Sequence, residues 1–171
     1  MASRVAELGE TIAGDYEGRE PLLVGALKAS LVFLADLSRA LPILHAIDFV
    51  ELAGYGAGGE TGGTVGVRLL KDLDTDIGGR DVVIVEDVVD TGLTLRYLCR
   101  TLALRRPRSL VAATLLDRPY RRLVDDLPVR YVGFVVPDEL FVGYGFDLDE
   151  RFRSLPDLHL VRRASSAAAA G

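Results

Sequence analysis

The stretch DVVIVEDVVDTGLT, residues 81–94, is the part of the chain richest in groups that could do chemistry. Asp81 to Val85 is apolar after its first residue and reads as a buried strand. It brings two adjacent carboxylates, Glu86 and Asp87, to the carboxyl end of that strand, where open α/β sheets bind ligands. Beyond Asp90 come Thr91, Gly92 and Thr94 at the start of a predicted helix. Free backbone N–H groups, a permissive glycine and two hydroxyls at a helix N-terminus form a cradle for phosphate. Taken separately, the acids could be solvated strand-end charges and Thr91 an ordinary helix cap. Joined on one strand, loop and helix, they point to a phosphorylated ligand with hydroxyl or metal contacts near the carboxylates.

Other reactive residue types carry less. GYGAGG at 54–59 fits Gly-x-Gly-x-x-Gly, but more glycine and a strand follow it rather than a helix, which excludes a dinucleotide site. His45 and His159 have no ligand-spaced partners and read as structural. Cys99 is the single cysteine, so the chain has neither an internal disulfide nor a cysteine-rich zinc site, and with Leu98 and Leu102 beside it the residue reads as a small core side chain. Arg121 and Arg122 read as a solvated face.

The elements that must position the acids follow from hydrophobic period. Val5, Leu8, Ile12 and Tyr16 share a helical face over 3–16, with Ser3 as candidate N-cap and Gly18 ending the helix. Leu22 to Leu27 is a short apolar run fit for a buried strand, and Leu31 to Leu41 is a helix stopped at Pro42. His45 to Leu52 reads as a second strand. Six glycines in 54–63 then form a loop expected to be mobile, and Val65 to Leu70 is a third strand. After the turn DLDTDIGGR and the strand at 81–85, Thr91 to Leu104 is a helix closed by Arg105, Arg106 and Pro107. Leu110 to Leu116 and Arg130 to Val136 are further strands. Fully apolar strands alternating with helices predict an α/β domain with a mainly parallel twisted sheet flanked by helices. One domain, 1–163, is expected, with a disordered tail at 164–171.

The chain has 171 residues, 49% hydrophobic, and 20 basic against 25 acidic side chains for a net charge of −5. That balance argues against binding nucleic acid by bulk charge, so an anionic ligand must be met locally. No stretch is long and apolar enough to span a membrane, and the N-terminus lacks the apolar core of a signal peptide, so a cytoplasmic enzyme is expected. Only Lys28 and Lys71 among the basic residues are lysines, so an arginine in place of lysine carries little information.

The sequence resembles the hypoxanthine-guanine phosphoribosyltransferases, whose phosphoribosyl-pyrophosphate (PRPP) motif is an acidic pair followed by Asp-Thr-Gly. The resemblance takes in LLVGALKASLVFLADL at 22–37, IDFVELAGYG at 47–56, KDLDTDIGGRDVVIVEDVVDTGLTL at 71–95, SLVAATLLDRPYRR at 109–122 and VGFVVPDELFVGYGFDLDERFRSLP at 132–156. It implies the phosphoribosyltransferase fold with a small hood over the base site, a PRPP and purine-like base as substrates, Mg²⁺ as cofactor, and a homodimer or homotetramer. Position by position, it implies that Glu86 and Asp87 bind the ribose hydroxyls directly or through Mg²⁺. Asp90 acts on the purine N7 proton, and Asp90 to Thr94 hold the 5′-phosphate. Lys28 falls in the pyrophosphate loop, where the family has a strained, often cis, peptide. Asp147 helps hold a second Mg²⁺, Arg153 contacts pyrophosphate, and the glycine-rich segment with Gly54 and Tyr55 closes as a lid. The implied PRPP set is thus Lys28, Glu86, Asp87, Val88, Val89, Asp90, Thr91, Gly92, Leu93, Thr94 and Arg153. The implied base-binding set is Arg118, Leu140, Phe141 and Asp147. Arg122 falls near a family position close to pyrophosphate.

Departures from the family collect around the base. Arg118 stands where the family carries Lys, Leu140 where it carries an aromatic, and Phe141 where it carries Val. Gly54 replaces the Ser before the lid Tyr, and Ala29 replaces the Gly after Lys28. The ribose-phosphate motif is intact. Three functional expectations follow: phosphoribosyl transfer to a hypoxanthine- or guanine-like base; the same chemistry on a modified base such as a 7-deazapurine; or a PRPP-binding regulator with little catalysis.

Overall fold

The computed structural model describes residues 1–55 and 66–162. The segment 56–63, where most of the expected lid falls, and the expected tail at 164–171 lie outside the described residues. A helix α1 (Ala2–Asp15) leads to strand β1 (Leu22–Leu27), helix α2 (Leu31–Ala40), β2 (Ala46–Tyr55) and β3 (Gly66–Lys71). Then come β4 (Asp81–Val89), α3 (Leu93–Ala103), β5 (Ser109–Asp117), a 3₁₀ turn at Pro119–Arg121, β6 (Val129–Val135), and two short strands, β7 (Phe141–Val142) and β8 (His159–Leu160).

Six strands form one sheet in the order β3-β2-β1-β4-β5-β6. All pairs are parallel except β2 with β3, so the sheet is mainly parallel as predicted. Alternation along the central strands divides the core. Leu23, Val83 and Val85 face α1 and α2, whereas Leu22, Val24, Val82 and Ile84 face Leu95, Leu98 and Leu102 of α3. Both faces are covered, which is why these strands read as unbroken apolar runs. The chain leaves β1 towards β2 on one side and returns to β4 on the other. The order therefore reverses between the carboxyl ends of β1 and β4, where a crevice opens.

Three boundaries differ from the sequence reading. β4 runs on to Val89, so Glu86 and Asp87 lie inside the strand, with Glu86 opposite Thr114 and Val89 opposite Asp117. Pairing with β5 carries the ladder past the point where the apolar pattern stops. The α3 helix starts at Leu93 rather than Thr91, behind Gly92. Gly54 and Tyr55 end β2, opposite Val67 and Gly66, so the backbone there is strand rather than loop.

Beyond the sheet, β7 and β8 pair antiparallel as a small ribbon. His159 is exposed on it, and His45 is held between Ser38 Oγ and the Ile43 carbonyl, both at 2.8 Å. Cys99 is partly buried against the α3 side of the core, and burial pushes its thiol up to about 12.

Two glycines of α1 should respond oppositely to alanine. A Cβ at Gly9 would lie 2.5 Å from the Ala40 carbonyl oxygen, so α1 and α2 must separate, whereas a Cβ at Gly14 meets nothing within 4 Å. Gly14→Ala should stabilise by up to about 1 kcal/mol through helix propensity. Gly9→Ala should instead lose about 1–3 kcal/mol to overpacking. Urea midpoints of both variants check this, and a stabilised Gly9→Ala would show that the helices are not in close contact.

Candidate functional site

The sheet reversal holds a cavity of about 430 Å³. Its walls are Ala26 to Ala29 at and just past the end of β1, Leu52, Glu86 to Gly92, Thr94, Leu95, Asp147 and Arg153. Of the residues expected to bind PRPP, Lys28, Glu86, Asp87, Val88, Val89, Asp90, Thr91, Gly92, Thr94 and Arg153 therefore meet at one place, together with Asp147. Leu93 does not line it, because as the first residue of α3 it projects outward and is exposed. Arg118, Leu140 and Phe141 also lie outside the cavity wall. The side chains of Gly54 and Tyr55 are outside what the structure describes.

Burial sets the state of the acid pair. Glu86 is almost wholly buried and its Oε1 has no hydrogen-bond partner. Desolvation, and then the neighbouring Asp87, raise its carboxyl well above the ordinary range. Burial likewise lifts Asp87 to about 6, opposed by backbone hydrogen bonds and by Arg153. Two carboxylates poor in donors at a cavity floor fit hydroxyl donors or a divalent cation. Among the described residues no cluster of three or more metal-ligating side chains occurs. Mg²⁺ characteristically takes one or two carboxylates together with substrate phosphates, so the two acids suffice for that fit.

On the phosphate side, Gly92 caps α3 at φ +82, which a side chain would strain. A Cβ there would also come within 2.6 Å of Leu127 Cδ1 and 2.8 Å of Val124 Cγ2. The Thr91 hydroxyl accepts weakly from the Leu93 N–H at 3.4 Å, and the first-turn amides of the helix are free for an anion. Across the cavity, the Leu27–Lys28 peptide is cis. Lys28 Nζ donates to Glu150 Oε2 at 3.1 Å, and Arg153 meets Asp147 at 2.9 Å and Glu150 at 3.3 Å. Glu150 is held below its usual range, first by Lys28 and then by Arg153. Both cationic side chains of the wall are thus already matched by carboxylates.

The turn after β5 carries Arg118, the first of the residues expected to meet a base. Arg118 NH1 lies 3.9 Å from Asp90 Oδ2, its guanidinium is 6.0 Å from the Phe141 ring centroid, and it donates to the Glu139 carbonyl. Phe141 is half-buried against the core and Leu140 is exposed. Arg122 donates to the carbonyls of Val89 and Asp90, each at 2.7 Å, and pairs with Asp117. Arg121, read from the sequence as a solvated face, contacts Asp90 at 2.7 Å. Neither Arg121 nor Glu150 stood out in the sequence, because an arginine in an arginine-rich chain and a glutamate in an acidic loop look like surface charge.

The chain matches the family model described as "Phosphoribosyl transferase domain" over residues 1–147. It is 50% identical over 158 residues to the hypoxanthine phosphoribosyltransferase of Salmonella typhimurium, covering 91% of this chain and 87% of that one. It is 47% identical over 161 residues to the hypoxanthine-guanine phosphoribosyltransferase of Mycobacterium bovis, covering 91% and 78%. The crystal structure of a hypoxanthine-guanine phosphoribosyltransferase from Bacillus anthracis, with a HEPES molecule in its active site, superposes with a TM-score of 0.87 at 45% identity over 94% of this chain and 93% of that one.

The acid pair makes a pH prediction for the protein free of ligand and metal. Asp87 binds its proton more tightly folded than unfolded, so its contribution favours folding below about pH 4 and is lost as pH rises through about 6. Asp87→Asn should therefore be more stable than wild type at pH 7.5, by on the order of 1–3 kcal/mol, and the difference should vanish near pH 4. Denaturation of both proteins across that range reads it, and a pH-independent difference would contradict the assignment.

Proposed function

Because the chain belongs to the phosphoribosyltransferase family, we propose that it transfers the 5-phosphoribosyl group from PRPP to hypoxanthine or guanine in purine salvage, giving the nucleoside 5′-monophosphate and pyrophosphate. The observation that carries this reading is the single cavity where the buried acid pair, the Asp90-to-Thr94 loop and helix start, and the Lys28 and Arg153 side chains converge.

In this reading the bond from C1′ to pyrophosphate breaks as the bond from C1′ to the purine nitrogen forms. Positive charge develops on the ribose and negative charge on the leaving group. Both acids border the sugar, where their oxygens accept from the ribose hydroxyls and Asp87, ionised above about pH 6, opposes the charge of the oxocarbenium-like centre. The amides that open α3 and the Thr91 and Thr94 hydroxyls hold the 5′-phosphate. Lys28 and Arg153 hold the departing pyrophosphate once released from Glu150 and Asp147. Asp90 accepts the proton that the purine loses at N7. Glu86, Asp87 and Asp147 are the groups that would hold Mg²⁺, which when bound neutralises charge on the pyrophosphate.

Arg118, beside Asp90, is placed to donate to a 6-oxo group, as a planar fork rather than the point charge of lysine. Phe141, whose ring centroid lies 6.0 Å from that guanidinium, is an aromatic candidate for the stacking role that Leu140 cannot fill. The relatives' activities support hypoxanthine and guanine as the bases.

Assay of hypoxanthine, guanine, xanthine and a 7-deazaguanine with PRPP and Mg²⁺ tests the reading. Hypoxanthine or guanine should give the highest kcat/KM, and chelation should abolish turnover. Preference for the 7-deazaguanine would shift the reading to a modified base, and PRPP binding without turnover would shift it to a regulator. Asp90→Asn should lower turnover by about 10²–10⁴-fold with PRPP binding retained. Glu86→Gln with Asp87→Asn should instead weaken PRPP binding, as titration would show.

A further inference from the structure

Asp90 is asked to meet a ring proton, yet it sits in a loop. Something must fix its carboxylate to within a fraction of an ångström for that work. Its backbone is fixed by Arg122, through the carbonyls of Val89 and Asp90. Its side chain has a different neighbour. Arg121 Nε makes an ion pair with Asp90 Oδ1 at 2.7 Å, although that oxygen accepts no aligned hydrogen bond, and the same guanidinium donates through NH1 to Asp138 Oδ1 at 2.5 Å. Arg118 is farther from both acids, at 3.9 and 4.0 Å.

Asp138 belongs to the segment between β6 and β7, and that segment is stapled to the 118–122 turn at two further points. The Tyr120 hydroxyl donates to the Val136 carbonyl at 2.8 Å, and Arg118 donates to the Glu139 carbonyl. Arg121 thus forms a bridge with one end on the Asp90 carboxylate and the other on the segment leading to Phe141. Electrostatics favour the bridge from both sides, since hydrogen bonding to Asp138, and then the charges of Asp90 and Asp138, hold the Arg121 cation more firmly.

We propose that Arg121 is a positioning residue: it sets the orientation of the Asp90 carboxylate and ties it to the segment beside the base, so that base recognition and proton acceptance occur in one register. This rests on the phosphoribosyl-transfer reading. The guanidinium acts through Asp90 and touches no reacting atom. One planar cation answers both carboxylates at once, by charge at Asp90 and by a hydrogen bond at Asp138, as a neutral amide of similar length does not.

The test uses the full chain, with PRPP and hypoxanthine varied in turn. Wild-type turnover is measured first; its absence would remove the functional reading itself, whatever Arg121 does. Given turnover, Arg121→Gln should lower kcat/KM for the base at least tenfold while KM for PRPP stays within twofold. Arg121→Lys, which keeps the charge but not the fork, should recover part of the loss. Asp138→Asn, which frees the far end of the bridge, should move the same parameter in the same direction by less. Arg121 and Asp138 are both partly exposed, so folded variants are expected, and thermal melts confirm it. The proposal is overturned if Arg121→Gln stays within twofold of wild type for the base. It is equally overturned if the base and PRPP parameters fall together, or if Arg121→Lys is no better than Arg121→Gln.

Discussion

The structure depends on holding two neighbouring carboxylates, Glu86 and Asp87, inside a strand at the floor of a cavity. Successive side chains of a strand point to opposite faces, so the pair is separated as far as neighbours can be, yet burial raises the proton affinity of both and Asp87 adds to that of Glu86. Such an arrangement opposes folding. It is tolerated because β4 is an interior strand of the sheet, paired along its length with β5 and over Leu22–Gly25 with β1, and covered by helices on both faces. The apolar burial of Val82 to Val85 offsets the cost incurred one and two residues later. Stability and site are consecutive segments of the same strand.

The same logic explains why the anion cradle is built from backbone. A chain with net charge −5 has no surplus of cations to offer a phosphate. Gly92, turned to positive φ beneath Leu127 and Val124, opens α3 with the Thr94 and Leu95 amides unpaired and the Leu93 amide held only weakly by Thr91. Those donors carry no formal charge and need no counter-ion when the site is empty. Lys28 and Arg153, which do carry charge, are matched by Glu150 and Asp147.

Much of this was legible in the sequence because the relevant signals are local. A fully apolar strand, an acidic pair and Asp-Thr-Gly before a helical period occupy fourteen consecutive residues, and the parallel sheet follows from strands that are apolar on both faces. The end of β4 was not legible, since pairing of Glu86 and Val89 with β5 is a long-range property that the change from apolar to acidic residues conceals. Nor was the start of α3, where Gly92 rather than Thr91 supplies the turn. Arg121 and Glu150 were invisible for a third reason. Their significance lies in partners 31 and 122 residues away, Asp90 and Lys28, and no local pattern marks them.

The arginines around the cleft show how little a basic residue near an anion site says about binding until its partner is known. Within one turn, Arg122 is committed to Asp117 and to two carbonyls of the phosphate loop, and Arg121 to Asp90 and Asp138. Arg118 lies over Phe141 and bonds the Glu139 carbonyl, but its Nε is buried without a partner. Arg121 and Arg122 therefore make close ion pairs with carboxylates of the same chain, whereas those of Arg118, the third, with Asp90 and Asp138 are looser, at 3.9 and 4.0 Å. The third retains an unsatisfied donor in a partly desolvated position beside Asp90. An orphaned donor of that kind costs free energy in the empty protein, and an acceptor brought in by a ligand recovers it. That difference separates the guanidinium that still has a donor to offer from the two held by their partners.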